Sequence, residues 1–192
     1  HYGNDDDYAD EMMTYVMDSY CDLIQSYPPS RGKWKFATGS FTQVVNVLYG
    51  AFVGATPDGR KAHEAVSANI EACRTYVTHR DLSGPTALAR SIGKFDHAKC
   101  ATGTLVNVKF GTETVSGEQG RENLVDYLDG YFAQDPMHIQ VMVTNRDTLL
   151  EARAHPEEYQ DLVVRVSGFS SYFHALSERL QDELIERTEH EL

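Results

Sequence analysis

A single glycine near the end of the chain, Gly168, constrains the fold more than any other residue. It follows a short apolar run, Leu162–Val164, which is typical of a buried strand, and residues 165–167 lie between the two. Because glycine has no Cβ, it adopts backbone conformations that are closed to other residues and often marks a tight turn at a strand end. A helix capped by Ser177 is predicted to follow. The spacing therefore predicts a glycine loop between a buried strand and a docked helix.

Strands and helices alternate along the rest of the chain, which indicates an α/β fold. Apolar residues at helical spacing predict helices over 5–25, 86–94, 120–133, 146–154 and 178–187. In the first helix one face carries Tyr8, Met12, Tyr15, Val16 and Ser19. In the third helix the inward residues should be Leu124, Tyr127, Leu128, Tyr131 and Phe132. Strands are predicted over 41–49, 104–110 and 139–143, with an extended loop over 55–83 and Asn145 as a helix cap.

The charge balance excludes some classes of partner. Lysine and arginine total 17 against 29 aspartates and glutamates, so the formal net charge is −12. This argues against binding to nucleic acid, which requires basic patches. The sequence has neither a basic amphipathic stretch nor an apolar run near the roughly 20 residues of a membrane span. Its polar, acidic start shows no signal peptide, so we expect a cytoplasmic protein with no membrane partner.

Several motifs resemble, in the same order, those of the glycyl radical enzymes, the pyruvate formate-lyase-like family. The segment from Arg165 to Phe173 resembles the loop that carries the radical in that family. The other matching segments are Tyr2–Asp6, Gly54–Ala62, Ser83–Ala87, Lys94–His97, Thr104–Phe110 and His138–Gln140. One such motif would be weak, whereas the series in family order covers nearly the whole chain.

The resemblance implies that Gly168 loses a hydrogen atom from Cα and stores a radical. A Cα radical is delocalised over the flanking amide and carbonyl when the centre flattens, and any Cβ would then clash with a carbonyl. An activating enzyme that uses S-adenosylmethionine and an iron–sulfur cluster would install the radical. It is expected to recognise Arg165, Val166, Ser167 and Phe169. No bound cofactor and no metal site are expected in this chain.

The family fold is a ten-stranded α/β barrel made of two half-barrels, and its members are several times longer than this chain. The resemblance implies that residues 1–66 form the C-terminal part of the barrel domain. Residues 67–192 would form the glycyl radical domain, with the radical loop near 165–173. The chain cannot close such a barrel alone, so we expect its open strand edge to be covered by a partner chain or portion, and an oligomer.

Three cysteines, Cys21, Cys73 and Cys100, are odd in number and widely spaced, which excludes a paired disulfide framework and a CxxC metal site. Each is expected to be a small, partly buried thiol. In the family the catalytic thiyl cysteine lies on its own loop, after a glycine and shortly before an acid. None of the three has such neighbours, so that cysteine is expected on the partner chain or portion.

The expected function is radical elimination or lyase chemistry on a small molecule, as a dehydratase or a C–N, C–S or C–C lyase. One alternative is an autonomous glycyl radical cofactor, a spare part that restores an oxygen-damaged formate lyase. Formate acetyltransferase-type C–C cleavage and a binding module without a radical are further alternatives. Segment 134–137 departs from the family pattern, which has paired glycines before His138, and segment 68–81 departs as well.

Two other groups in the sequence are candidates for chemistry. Asp96 and His97 are adjacent and could form an acid–base pair, although a structural hydrogen-bonding role is the more frequent use of such a histidine. Arg60 and Lys61 follow an Asp-Gly turn and could bind an anion, although the family places this loop structurally.

Overall fold

The computed structural model describes the chain except for residues 42–44, 58, 68–69, 72–73, 76–77, 80 and 188. Its helices are α1 (Asp7–Ser26), α2 (Val45–Gly50), α3 (Pro85–Gly93), α4 (Gly117–Phe132), α5 (Arg146–Ala154) and α6 (Glu178–Ile185). Its strands are β1 (Arg74–Thr75), β2 (Thr78–His79), β3 (Asn107–Phe110), β4 (Gln140–Val143), β5 (Val163–Arg165), β6 (Ser170–Tyr172) and β7 (Glu189–His190). Short 3₁₀ turns occupy His97–Lys99 and Phe173–Ala175. Among the described helices, none has the length and apolar composition that a membrane span requires.

A small parallel sheet organises the described part of the chain. Strand β3 lies in its centre and pairs in parallel with β4 on one side and β7 on the other. In this register Asn107 lies opposite Gln140, and Lys109 lies opposite Met142. All four residues of β3 are buried, as expected for a parallel strand covered on both faces.

Two hydrophobic clusters cover the two faces of this sheet. The first contains Cys21, Leu88, Ile92, Phe95, Cys100, Val108, Phe110, Tyr127 and Tyr131. The second contains Met142, Leu149, Ala152, Val164, Val166, Phe173, Leu184 and Ile185. Since successive strand residues point to opposite faces, Val141 packs against the first cluster while its neighbour Met142 lies in the second. The sheet therefore separates the two clusters.

Helix α1 confirms the predicted helix and begins at a side-chain cap. The carboxylate of Asp6 accepts hydrogen bonds from the backbone N–H groups of Tyr8 and Ala9, and the acidic first turn suits the helix dipole. The apolar face of the helix does not pack on the other described residues. Tyr8, Met12, Tyr15 and Val16 all have more than half of their surface exposed. Instead, α1 buries the opposite face, which contains Asp10 and Cys21.

The predicted strand over 41–49 is wrong where the structure describes it, because residues 45–50 form helix α2. The buried residues are Asn46 and Gly50, which are one helical turn apart, while Leu48 and Tyr49 are exposed. A Cβ at position 50 would lie 2.2 Å from the carbonyl oxygen of Glu64. Close packing of Gly50 on this backbone thus sets the local conformation and overrides the strand preference of the apolar run.

The other predicted elements are largely confirmed. Helices α3, α4, α5 and α6 and strands β3 and β4 lie where periodicity placed them, although α6 ends at Ile185 and β3 begins at Asn107. On α4, Tyr127 and Tyr131 are buried as predicted, whereas Phe132 is 48% exposed. Asn145 stands at the N-cap position of α5, but its side-chain oxygen accepts from the Thr112 N–H, at 2.7 Å, rather than from its own helix.

Candidate functional site

Gly168 lies in the turn of a β-hairpin. Strands β5 and β6 pair antiparallel, with Arg165 opposite Ser170. The N–H of Val166 donates to the carbonyl oxygen of Phe169 at 2.9 Å, which leaves Ser167 and Gly168 as the two turn residues. The expected order of strand, glycine loop and docked helix is therefore wrong in one respect. A returning strand, β6, begins two residues after the glycine, and helix α6 comes only after a 3₁₀ turn.

Conformation, rather than crowding, requires glycine at position 168. Its φ of +78° is close to the value at the third position of a type II turn, which is strained for residues with a Cβ. A Cβ built there would lie 3.6 Å from Cδ1 of Leu105 and 3.9 Å from Nε2 of Gln140, which are ordinary contacts. Gly168 is exposed on this chain, whereas the radical predicted at this position would need shelter from water and oxygen.

The amide of Gly168 is held by a side chain from the parallel sheet. Its N–H donates to Oε1 of Gln140 at 2.8 Å. Nε of Arg165 donates to the same oxygen, also at 2.8 Å, and the Arg165 guanidinium reaches the hydroxyl of Ser170 at 3.3 Å. Gln140 is only 6% exposed, so a buried amide fixes both the turn glycine and the end of strand β5.

A second anchor, Arg187, holds the stem of the hairpin. This arginine follows helix α6, is 4% exposed, and donates to the carbonyl oxygens of Val166 at 2.6 Å and Arg165 at 3.3 Å. Glu183 accepts two further bonds from the same guanidinium, at 3.0 and 3.1 Å. The hairpin backbone is therefore bound to α6 through one buried ion pair.

Two of the residues predicted to be recognised by an activating enzyme are inaccessible in this conformation. Val166 and Ser167 are fully buried, and Arg165 is half-buried, whereas Phe169 is 39% exposed. The hydroxyl of Ser167 is buried without a hydrogen-bond partner among the described residues. Burial of such an unpaired group costs about 1–3 kcal/mol. The recognition role of these four residues stays a prediction.

Known proteins match this chain along nearly its whole length. A family model described as "Glycine radical" matches residues 74–174, and one described as "Pyruvate formate lyase-like" matches residues 1–50. The chain belongs to the glycyl radical enzyme family. The predicted family is thus confirmed on a match that includes the hairpin of Gly168.

Three relatives in this family illustrate the extent of the similarity. The (2S)-3-sulfopropanediol dehydratase of Klebsiella oxytoca is 41% identical over 189 residues, which cover 98% of this chain and 23% of the relative. A solved structure on 1,2-propanediol dehydration in Roseburia inulinivorans is 42% identical with a TM-score of 0.92, covering 98% of this chain and 23% of that one. The glycerol-bound, B12-independent glycerol dehydratase from Clostridium butyricum is 37% identical with a TM-score of 0.92, covering 100% and 24%.

The similarity confirms the predicted fold class, an α/β chain that forms part of the barrel of a glycyl radical enzyme together with its glycyl radical domain. The chain spans about a quarter of the length of the relatives that it matches. The glycine radical match also supports the prediction of a radical cofactor on the chain itself.

The two cysteines that the structure describes suit a structural role. Cys21 and Cys100 are fully buried in the first cluster, with their Sγ atoms 3.7 Å apart, and the Thr38 hydroxyl donates to Cys21 Sγ at 3.1 Å. Burial, together with the neighbouring Cys21 thiol, raises the pKa of Cys100 to about 11, so that this group remains a thiol at neutral pH. Reactive cysteines lie in partly exposed positions, and neither of these two thiols does. Cys73 lies outside the described residues.

The paired candidates from the sequence have structural roles as well. Nδ1 and Nε2 of His97 contact the Thr104 hydroxyl at 2.6 Å and the Ile92 carbonyl oxygen at 3.0 Å. The Asp96 carboxylate instead accepts from the backbone N–H of Ala98 at 3.0 Å, so the adjacent residues do not form an acid–base pair. Burial lowers the pKa of His97.

Arg60 is 3% exposed, so its side chain is not available to a dissolved anion. Its guanidinium donates to the backbone carbonyl oxygens of Gly54, Lys61 and Glu64. This arginine therefore fixes the conformation of its own loop.

One group of possible metal ligands lies in the described residues, away from the hairpin sequence. His155, Glu157 and Glu158 can bring one ligand atom each within 4.8 Å of the others, but all three are exposed. Such exposed acidic groups are common on protein surfaces without a bound ion.

The segment before His138, which departs from the predicted family pattern, contains a residue in a left-handed conformation. Asp135 has a φ of +57°, a left-handed conformation that aspartate tolerates better than most residues. Nδ1 of His138 is buried without a partner among the described residues. Burial, reinforced by the nearby Arg165 guanidinium, lowers the pKa of this imidazole.

Sequence reasoning missed the two residues that hold the hairpin, Gln140 and Arg187. Gln140 is the polar residue among Ile139, Val141 and Met142 in a predicted buried strand. A lone polar residue at such a position signals a specific buried partner. No comparable signal was available for Arg187.

Proposed function

We propose that this chain is the glycyl-radical-bearing portion of an enzyme that carries out radical elimination or lyase chemistry on a small molecule. Gly168 would store the radical. The observation that carries the proposal is a family match over residues 74–174 in which the matched turn holds a glycine with φ +78°, exposed and fixed through its amide. If Gly168 served only to form the turn, the residues around it would not need to match the family model.

Activation would begin at the Cα–H bond of Gly168. This bond breaks homolytically, one electron stays on Cα, and the hydrogen atom leaves to a carbon radical that the activating enzyme makes from S-adenosylmethionine at its iron–sulfur cluster. Because Val166 and Ser167 are buried, their recognition would require the hairpin to leave its place against Gln140 and Arg187.

The catalytic cysteine would come from a partner chain or portion. The radical would pass from Gly168 to that cysteine, whose thiyl would remove a hydrogen atom from the substrate. Two observations support a missing neighbour. The chain corresponds to 23–24% of its relatives, and the apolar face of α1 and the turn glycine are both exposed. The same neighbour would shield the stored radical from water and oxygen.

We infer that the reaction is a dehydration or a related elimination. This inference is supported by proteins that are 37–42% identical to the chain and whose names describe the dehydration of small hydroxylated compounds. We also infer that residues 1–66 belong with the barrel of the complete enzyme and residues 67–192 with its glycyl radical domain. The two family matches, over 1–50 and 74–174, support a division between them.

The test is an anaerobic electron paramagnetic resonance spectrum of the complete enzyme after activation with S-adenosylmethionine. A radical at Gly168 keeps one α-hydrogen, so its spectrum should be a doublet, which should become a single line after incorporation of α-deuterated glycine. Subsequent air exposure should cleave the chain at Ser167–Gly168, as read by intact mass. Absence of any signal, while a known relative activates normally in the same mixture, would refute the proposal and favour a module without a radical.

A further inference from the structure

The side chain of Gln140 connects the centre of the fold to the turn of Gly168. Gln140 is the first residue of β4, and its own backbone N–H donates to the Val106 carbonyl oxygen at 2.7 Å. In the parallel register it lies opposite Asn107 of the central strand. Its backbone is therefore fixed by the sheet, and its side chain is 6% exposed.

One oxygen of this side chain serves two donors. Oε1 accepts from the Gly168 N–H and from Nε of Arg165, both at 2.8 Å. A carbonyl oxygen has two lone pairs, so both acceptor positions are in use. Nε2 of the same amide lies 3.9 Å from the place that a Cβ of Gly168 would occupy. The Gln140 amide thus contacts the backbone N–H of the glycine and faces one side of its Cα.

The hydrogen bond to Gly168 acts on the group that stabilises a Cα radical. In such a radical the amide nitrogen donates electron density toward Cα, and its N–H becomes a stronger hydrogen-bond donor as a result. The bond to Oε1 of Gln140 therefore strengthens when the hydrogen atom leaves, and it favours the radical over the closed-shell glycine. Interactions that are stronger in the product than in the starting state shift the equilibrium, whereas equal ones do not.

We propose, on the basis of the proposed function, that Gln140 is a positioning residue for the Gly168 radical. Its side-chain oxygen holds the amide of Gly168 and the guanidinium of Arg165 together, fixes the plane in which the radical is delocalised, and stabilises the radical through the Gly168 N–H. A purely structural role would stabilise the turn equally before and after radical formation.

Two substitutions separate these roles. Gln140→Leu keeps most of the side-chain volume and removes the acceptor, whereas Gln140→Glu keeps an acceptor oxygen for both donors. Gln181→Leu is the matched control, because Gln181 is also a buried glutamine, 8% exposed, whose Nε2 donates to the Phe173 carbonyl oxygen at 2.9 Å. Within the described part of the chain, Gln181 bonds Phe173 rather than Gly168, so its loss changes stability without changing the radical.

The first measurement uses the complete enzyme before activation and needs no radical. Residue-resolved hydrogen exchange should show a protected Gly168 amide in the wild type, because this amide donates to Gln140. Gln140→Leu should accelerate that exchange about tenfold, the factor expected for one neutral hydrogen bond. Gln140→Glu and Gln181→Leu should retain the wild-type rate at Gly168. An equal rate in Gln140→Leu would overturn the proposal even if the enzyme forms no radical.

The second measurement uses the activated enzyme with ¹⁵N-labelled glycine. Gln140→Leu should alter the ¹⁵N hyperfine coupling of the Gly168 radical and reduce the radical yield about tenfold. Gln140→Glu should restore both quantities, and Gln181→Leu should leave the coupling unchanged. An unchanged coupling and yield in Gln140→Leu would overturn the proposal while the wild-type doublet sustains the proposed function. Absence of a radical in the wild type would refute the proposed function and, with it, the radical-stabilising role of Gln140. The exchange measurement would then show only whether Gln140 accepts the hydrogen bond from the Gly168 amide.

Discussion

Replacement of Gly168 by alanine separates the conformational role of this glycine from its chemical role. Alanine at φ +78° is disfavoured, since the left-handed region costs a residue with a Cβ about 1–2 kcal/mol. No steric penalty adds to this, because the new Cβ would meet only Leu105 and Gln140, at 3.6 and 3.9 Å. We therefore expect Gly168→Ala to fold and to lose about 1–2 kcal/mol of stability.

Gly117→Ala provides the matched control. Gly117 is also exposed, has a φ of +71°, and has no atom within 4 Å of the place that a Cβ would occupy. Its substitution should lower the free energy of unfolding by a similar amount, for the same backbone reason. Gly117 opens helix α4 and has no part in the hairpin.

The assay compares the two variants with the wild type by urea denaturation, by radical yield after activation and by turnover of the complete enzyme. Both variants should show a similar loss of stability, but only Gly168→Ala should lose the glycine doublet and turnover. A Gly168→Ala enzyme that turns over would contradict the assignment of the radical. A loss of stability in Gly168→Ala several times that in Gly117→Ala would show that the steric argument is wrong.

Three further predictions concern ionisable groups that are buried or paired with a buried group. Arg187→Met leaves the buried Glu183 carboxylate without its cation, so urea denaturation should show a loss of about 3–5 kcal/mol, of which the added Glu183→Leu recovers part. Burial lowers the pKa of His97, so the stabilisation that this residue provides should be complete above pH 6.5 and should be lost as the pH falls through the folded-state pKa. His97→Gln should remove this pH dependence from the free energy of unfolding below pH 6.5. Lys94→Met removes the ammonium 2.7 Å from the fully buried Asp10 carboxylate, so urea denaturation at pH 7 should show a loss of stability. An unchanged free energy of unfolding in this variant would contradict the ion-pair argument.

Local patterns were sufficient to predict most helices and the central strands, because each has an apolar period of its own. Helix α2 could not be predicted in this way. Its conformation depends on packing of Gly50 against the backbone of Glu64, a contact that is invisible to propensity. The exposed face of α1 shows a related limit. Periodicity identifies an apolar face, such as that of Tyr15 and Val16, but does not say whether its partner lies in the same chain.

The same distinction applies to the site. Gly168 could be found from the sequence because its identifying neighbours are adjacent to it. The residues that hold it come from elsewhere, since Gln140 is 28 positions away and Arg187 contacts the Val166 carbonyl from 21 positions away. Only the pairing of β3 with β4 and the packing of α6 bring these side chains to the hairpin. Sequence spacing alone contains no signal for such contacts.

The division of the core by the parallel sheet has a consequence for protein engineering. Substitutions that lie far apart and share no partners usually have additive effects on stability. Residues such as Leu88 and Ile92 belong to the first cluster, whereas Val164 and Val166 of the hairpin belong to the second. A designer can therefore repack the first cluster for tolerance to heat or solvent as an independent module, and reserve the second for adjusting how readily the glycine hairpin is released.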